Sequence, residues 1–64
     1  MIRINGEMQD LAGKTVCEAI EIMDYAKKRV VVELNGEIIP RDAYEQTILY
    51  DGDNVEVVTM VAGG

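Results

Sequence analysis

Two Asn-Gly pairs, Asn5-Gly6 and Asn35-Gly36, constrain this chain more than any other feature. A two-residue hairpin connection needs positive φ at both central positions, which Asn tolerates and Gly adopts freely. Met1 to Asn5 alternates apolar and polar residues, so Glu7 to Leu11 is expected to return as a second strand. Val30 to Leu34 is rich in β-branched residues, and after Asn35-Gly36 a short strand is expected at Ile38-Ile39, ended by Pro40. Arg41 to Tyr44 then reads as a single-turn segment with proline at its entry.

Between the hairpins, Thr15-Val16-Cys17-Glu18 matches a capping box, in which a hydroxyl and a carboxylate satisfy the first free N–H groups of a helix. About three turns are expected to follow. Val16, Ala19, Ile20, Met23 and Ala26 recur at helical spacing as the core face, with Cys17, Glu21, Asp24 and Lys28 opposite and an Asp24 to Lys28 pair at i,i+4. Lys27-Lys28-Arg29 falls where that helix should end, where cations complement the dipole. Ile48-Leu49-Tyr50 leads into a turn at Asp51-Gly52-Asp53 and a last strand from Val55 to Val61. In that strand alternation puts Val55 and Val57 on one face and Glu56, Val58 and Met60 on the other. The order strand, strand, helix, strand, short strand, strand predicts an α+β fold of β-grasp type, a mixed four- to five-stranded sheet packed on one helix. Residues 1–64 read as a single domain with a flexible C-terminal Gly-Gly tail.

A chain of 64 residues has little room for a catalytic cleft, and this one has no His, no Trp and one Cys. Most catalytic and metal-binding constellations need those residue types, so neither an enzyme nor a metal site is expected. A net charge of −6, spread along the chain, repels phosphate backbones and favours partners with basic docking surfaces. Cys17 has no partner for an intrachain disulfide and reads as an inert thiol in a reducing compartment. Met8, Met23 and Met60 read as fillers of irregular core gaps. Neither a signal peptide nor a run of roughly 20 apolar residues is visible, so a cytoplasmic chain without membrane contact, monomeric when free, is expected.

The chain given ends on Gly63-Gly64, directly after an apolar run. Lacking Cβ atoms, such a pair presents a slim carboxylate able to thread into another protein's active site, although small residues also occur at frayed ends. An α-carboxylate with a pKa near 3.5 is a stable anion at neutral pH and needs activation, usually by attack on ATP to give an acyl-adenylate. Val58 and Met60, exposed beside that tail, read as a place where a partner grips.

Taken together, Asn35-Gly36-Glu37 with Pro40-Arg41, then Asp51-Gly52-Asp53, Val55-Glu56-Val57-Val58 and the ending Val61-Ala62-Gly63-Gly64 resemble the ThiS family, small sulfur carriers of thiamine biosynthesis. The resemblance runs from Met1 to Gly64. It implies a ubiquitin-like β-grasp protein whose Gly64 carboxylate is adenylated by a ThiF-type enzyme using ATP and Mg, then converted to a thiocarboxylate. A sulfur donor such as a cysteine desulfurase would load it, and a ThiG-type thiazole synthase would take the sulfur into the thiazole ring. By the same resemblance Gly63 and Ala62 thread the tail into a narrow channel, Ala62 standing where some relatives have a third glycine. Val58, Met60 and Val61 belong to the docking surface, and the carrier itself binds no cofactor. The rival readings are a molybdopterin-synthase small-subunit-like carrier, a ubiquitin-like modifier and a noncovalent interaction module.

Overall fold

The computed structural model describes residues 1–60. Val61, Ala62, Gly63 and Gly64, and with them the end of the expected last strand and the tail assignments, lie outside the described residues. Both Asn-Gly pairs turn as expected. Asn5 and Gly6 have φ of 50° and 85°, and Asn35 and Gly36 have 51° and 88°, the backbone of type I′ turns. They connect β1 (Ile2–Ile4) to β2 (Glu7–Gln9) and β3 (Val30–Leu34) to β4 (Glu37–Ile39), both antiparallel. β2 stops short of the expected Leu11, whose side chain instead turns into the core.

The last strand, β5 (Asn54–Thr59), inserts between the hairpins and gives the order β2-β1-β5-β3-β4. It runs parallel to β1 and antiparallel to β3, so the sheet is mixed and five-stranded. Helix α1 (Val16–Ile22) covers one face. There Ile2, Ile4, Val30, Val32, Val55 and Val57 meet Val16, Ala19 and Ile20, with Leu11, Tyr44 and Leu49 closing the rim. This is the β-grasp arrangement. Met23 packs against the core, but Met8 and Met60 are exposed, so only one of the three methionines expected as gap-fillers acts as one.

The capping box forms in full. The Glu18 N–H donates to Thr15 Oγ1 at 3.0 Å and the Thr15 N–H donates to Glu18 Oε1 at 2.9 Å. The next free N–H groups of the helix find carbonyls of the 44–47 segment: Val16 donates to Thr47 O at 2.8 Å and Cys17 to Tyr44 O at 3.0 Å. This folds residues 44–47 over the helix start.

The helix is shorter than its periodicity suggests, seven residues rather than about three turns. Asp24 adopts φ of 65°, and its N–H donates to Glu21 O at 3.0 Å while that of Tyr25 donates to Ile20 O at 2.8 Å. Those two bonds form a Schellman motif, with aspartate where glycine is usual and Tyr25 packing back on the core. Ala26 is therefore exposed and off the core stripe, and the expected Asp24 to Lys28 helical pair does not exist. Lys27-Lys28-Arg29 caps no α-helix either; it forms a separate 3-10 turn leading into β3.

Two stability predictions follow from the helix ends. Asp24→Gly removes the Cβ strain of a left-handed position and is expected to stabilise the fold by about 0.5 to 1 kcal/mol, read as a higher denaturant midpoint. At the other end, the hydrogen bond from the Thr15 backbone holds the Glu18 carboxyl below its ordinary pKa. A depressed folded pKa gives stability that is complete above the unfolded pKa and is lost as pH falls through the folded one. The stability gap between the native chain and Glu18→Gln should therefore be widest near neutrality and close on acidification, as followed by urea melts across the acidic range.

Candidate functional site on the open sheet face

Side chains of a strand alternate between faces, and paired residues share a face, so the strand registers define the side of the sheet that α1 leaves open. In β5 the inward residues are Val55 and Val57 and the outward ones Asn54, Glu56 and Val58. Across β5 and β3, Val58 lies opposite Val31 and Glu56 opposite Glu33. Across β3 and β4, Glu33 lies opposite Ile38. On the other side of β5, Arg3 of β1 lies between Asn54 and Met8. The open face is thus a band in which exposed Ile38, Val58 and Met60 (66%, 56% and 46%) surround a pair of carboxylates.

The sequence-derived docking residues Val58 and Met60 share this band, and Val61 lies outside the described residues. The ladder between β5 and β3 continues one step past the strand, since the Met60 N–H donates to Arg29 O at 2.6 Å. The basic run is thereby brought beside the exit of β5. Arg41 also reaches it, its Nη2 donating to Lys28 O at 3.3 Å, and Lys27 pairs with Glu45 at 3.4 Å.

β5 is held by two side chains that pattern reading missed. The Asn5 amide donates to Val57 O at 3.1 Å and accepts from the Val57 N–H at 2.7 Å, standing in for a strand residue beyond the end of β1. Asn35 likewise accepts from the Asn54 N–H at 2.9 Å and donates to Asp53 Oδ1 at 3.1 Å. The turn residues were legible as turn formers, but nothing local signals that their amides reach β5.

A cavity of about 350 Å³ opens at the start of β5, lined by Met1, Arg3, Met8, Gly52, Asp53 and Asn54. Its Asp53 carboxylate is committed to the Asn35 amide and the Tyr50 N–H at 3.1 and 2.8 Å. Met60 lies six residues along the strand from Asn54, about 20 Å at 3.3 Å per residue. Among the described residues no three His, Cys, Asp or Glu side chains converge as a metal site, and no helix is long and apolar enough to cross a membrane.

Cys17 departs from its expected place on a polar helix face: folding of residues 44–47 over the helix start leaves it half-buried against the core. Its Sγ lies 3.5 Å from Glu21 Oε1, the one contact that the helical spacing anticipated. Burial, followed by the hydrogen bond to Glu21, pushes its pKa up. The thiolate, the reactive form, is thereby suppressed.

The model of the ThiS family matches residues 2–64. This chain belongs to the ThiS family. The sulfur carrier protein ThiS of Thermus thermophilus is 42% identical over 64 residues, 100% of each chain. A crystal structure of a thiamine biosynthesis protein, ThiS of Geobacter metallireducens, superposes with a TM-score of 0.80 at 36% identity, covering 98% of this chain and 97% of that one. A thiazole synthase of Paramagnetospirillum magneticum is 36% identical over 62 residues, which are 95% of this chain and 19% of that longer one. The ThiS-family chain is a small carrier protein rather than a catalyst, with the five-stranded β-grasp sheet described above. At neutral pH its Cys17 is expected to react with iodoacetamide at least about tenfold more slowly than the same cysteine in the urea-unfolded chain, as followed by mass spectrometry.

Proposed function

We propose that this chain is a sulfur carrier of thiamine biosynthesis whose Gly64 α-carboxylate is adenylated and then converted to a thiocarboxylate that supplies the sulfur of the thiazole ring. The observation that carries this reading is the family match, which extends through residue 64 and so includes Ala62, Gly63 and Gly64. The carboxylate attacks the α-phosphorus of ATP and pyrophosphate leaves, which makes the acyl carbon electrophilic. A sulfur nucleophile then displaces AMP. The chain contains no His, so the acid–base work of these steps falls to a ThiF-type enzyme, with Mg balancing the phosphates.

The sheet supports this role by carrying β5 to the point of departure. β1, β3 and the two asparagine amides hold the strand up to Met60, and exposed Val58 and Met60 lie within a few residues of the tail. With Val61 they form the grip for the enzyme, while Gly63 and Ala62 pass through its channel. A thiocarboxylate tethered in this way is a nucleophile confined to docked partners, and the small interface expected of a 64-residue carrier favours rapid exchange.

A ThiG-type thiazole synthase is the recipient in this reading. A stretch similar to this chain inside a longer protein named thiazole synthase supports the pairing, because fusion raises the effective concentration of carrier at synthase. The immediate sulfur donor is of the cysteine desulfurase class, and such chemistry belongs in the cytoplasm, where Cys17 stays reduced.

Incubation with a ThiF-type enzyme, MgATP and a sulfur donor should raise the intact mass by the difference between one sulfur and one oxygen, localised to Gly64. Deletion of Gly64 should abolish that change with the melting temperature unaltered. A mass unchanged in the presence of a demonstrably active enzyme would overturn the reading, and branched conjugates to lysine would replace it with a modifier.

A further inference from the structure

Glu33 and Glu56 stand directly opposite each other across β3 and β5 on the open face. Paired residues on one face of an antiparallel sheet have Cβ atoms about 5 Å apart, and like charges so placed destabilise the sheet. The ion pairs among the described residues lie elsewhere, between the Met1 amine and Asp51 and between Lys27 and Glu45. Arg3, the cation nearest by register, faces Asn54 one diagonal step from Glu56 and makes no ion pair with it. Among the described residues, the fold therefore places two carboxylates side by side with no ion-pair partner.

Their neighbours give the arrangement its meaning. Glu33 lies between Glu56 and the 66% exposed Ile38, and the next pair on the same face is Val31 with Val58. A partner that covers Val58 and Ile38 must also cover Glu33. Two carboxylates taken out of water with no counter-charge would cost more than those apolar contacts return. A partner surface that is apolar or acidic at this point is therefore rejected, and one that brings a cation is accepted.

We propose that Glu33 and Glu56 together receive an arginine side chain of the enzyme that activates Gly64, and that this contact selects the partner of the docking face. The proposal rests on the carrier reading above. A guanidinium fits better than an ammonium, because its planar fork of five donors can bridge two carboxylates while its flat faces lie against Ile38 and Val58. A metal ion is the poorer occupant, since among the described residues no third acidic side chain joins the pair. The overall charge of −6 favours the encounter before contact. The geometry also limits where that arginine sits: Glu56 to Met60 spans about 13 Å of strand and four more residues at most about 14 Å. The arginine should thus lie within about 27 Å of the adenylating centre.

The test is steady-state adenylation of the full chain by a ThiF-type enzyme with MgATP, comparing native chain, Glu33→Gln, Glu56→Gln, the double variant and Asp10→Asn. Asp10→Asn removes the same charge at an exposed position just past β2, the edge strand separated from β5 by β1. Each single glutamine is expected to raise KM for the carrier about tenfold with kcat unchanged and a flatter salt dependence. The double variant should lose less than the product of the two, because both carboxylates share one cation. All three should melt at or above the native temperature, and Asp10→Asn should leave KM within about twofold of the native value. Unchanged KM in the glutamine variants, or an equal rise in Asp10→Asn, would overturn the proposal in favour of an apolar grip or of net charge alone. A native chain that is not adenylated at all would bring down the carrier reading itself, and this proposal with it.

Discussion

Everything in this fold depends on β5 lying between two hairpins. It is the last strand made and the one placed at the centre, flanked by β1 in parallel and β3 antiparallel. Each hairpin alone would be marginal in water, since two strands bury too little surface. β5 joins them into one sheet with an apolar face that α1 can cover, so the two halves of the chain become stable only together. Asn5 and Asn35 strengthen this dependence, because each both makes a left-handed turn in its own hairpin and pairs through its amide with β5 backbone. A mutation at either asparagine would therefore disturb a turn and a strand seam at once.

The same strand divides stability from recognition. Its inward residues, Val55 and Val57, belong to the core, while its outward residues, Glu56 and Val58, contribute little to it. Period-two alternation lets one segment carry both tasks without conflict. The side chains that would touch a partner can vary with small effect on folding, and the paired carboxylates on β3 and β5 even oppose folding slightly. Such a local conflict is tolerated where function requires it.

Much of this architecture was legible in the sequence because it rests on local rules. Asn-Gly turns, the Thr15 to Glu18 capping box and the alternation in β5 each follow from backbone geometry within a few residues. The end of α1 was not legible: a Schellman motif is usually announced by glycine, and here Asp24 takes its place while Met23 and Ala26 keep the helical spacing going. The half-buried position of Cys17 escaped for a different reason, since it depends on the 44–47 segment returning to the helix start. Facing of Val58 and Met60 could be read from β5 alone, but the juxtaposition of Glu33 and Glu56 could not. It needs the register between strands 23 residues apart, which only the folded sheet supplies.

The basic run shows how a local reading can be right about charge and wrong about place. Lys27, Lys28 and Arg29 suit a helix end, yet the early stop at Asp24 detaches them from α1 and leaves them to enter β3. Antiparallel pairing of β3 with β5 then sets Arg29 beside Met60, at the exit of the strand. The open face consequently has a direction: cations near the exit, apolar residues at Val31 and Val58, carboxylates at Glu33 and Glu56. A partner docking on this face as proposed would be oriented by that order, because reversal would set like charges against each other and mispair the apolar band. In the carrier reading proposed above, fixing orientation is as important as affinity, since a tail carboxylate presented away from the activating centre would not react however tightly the domain is held.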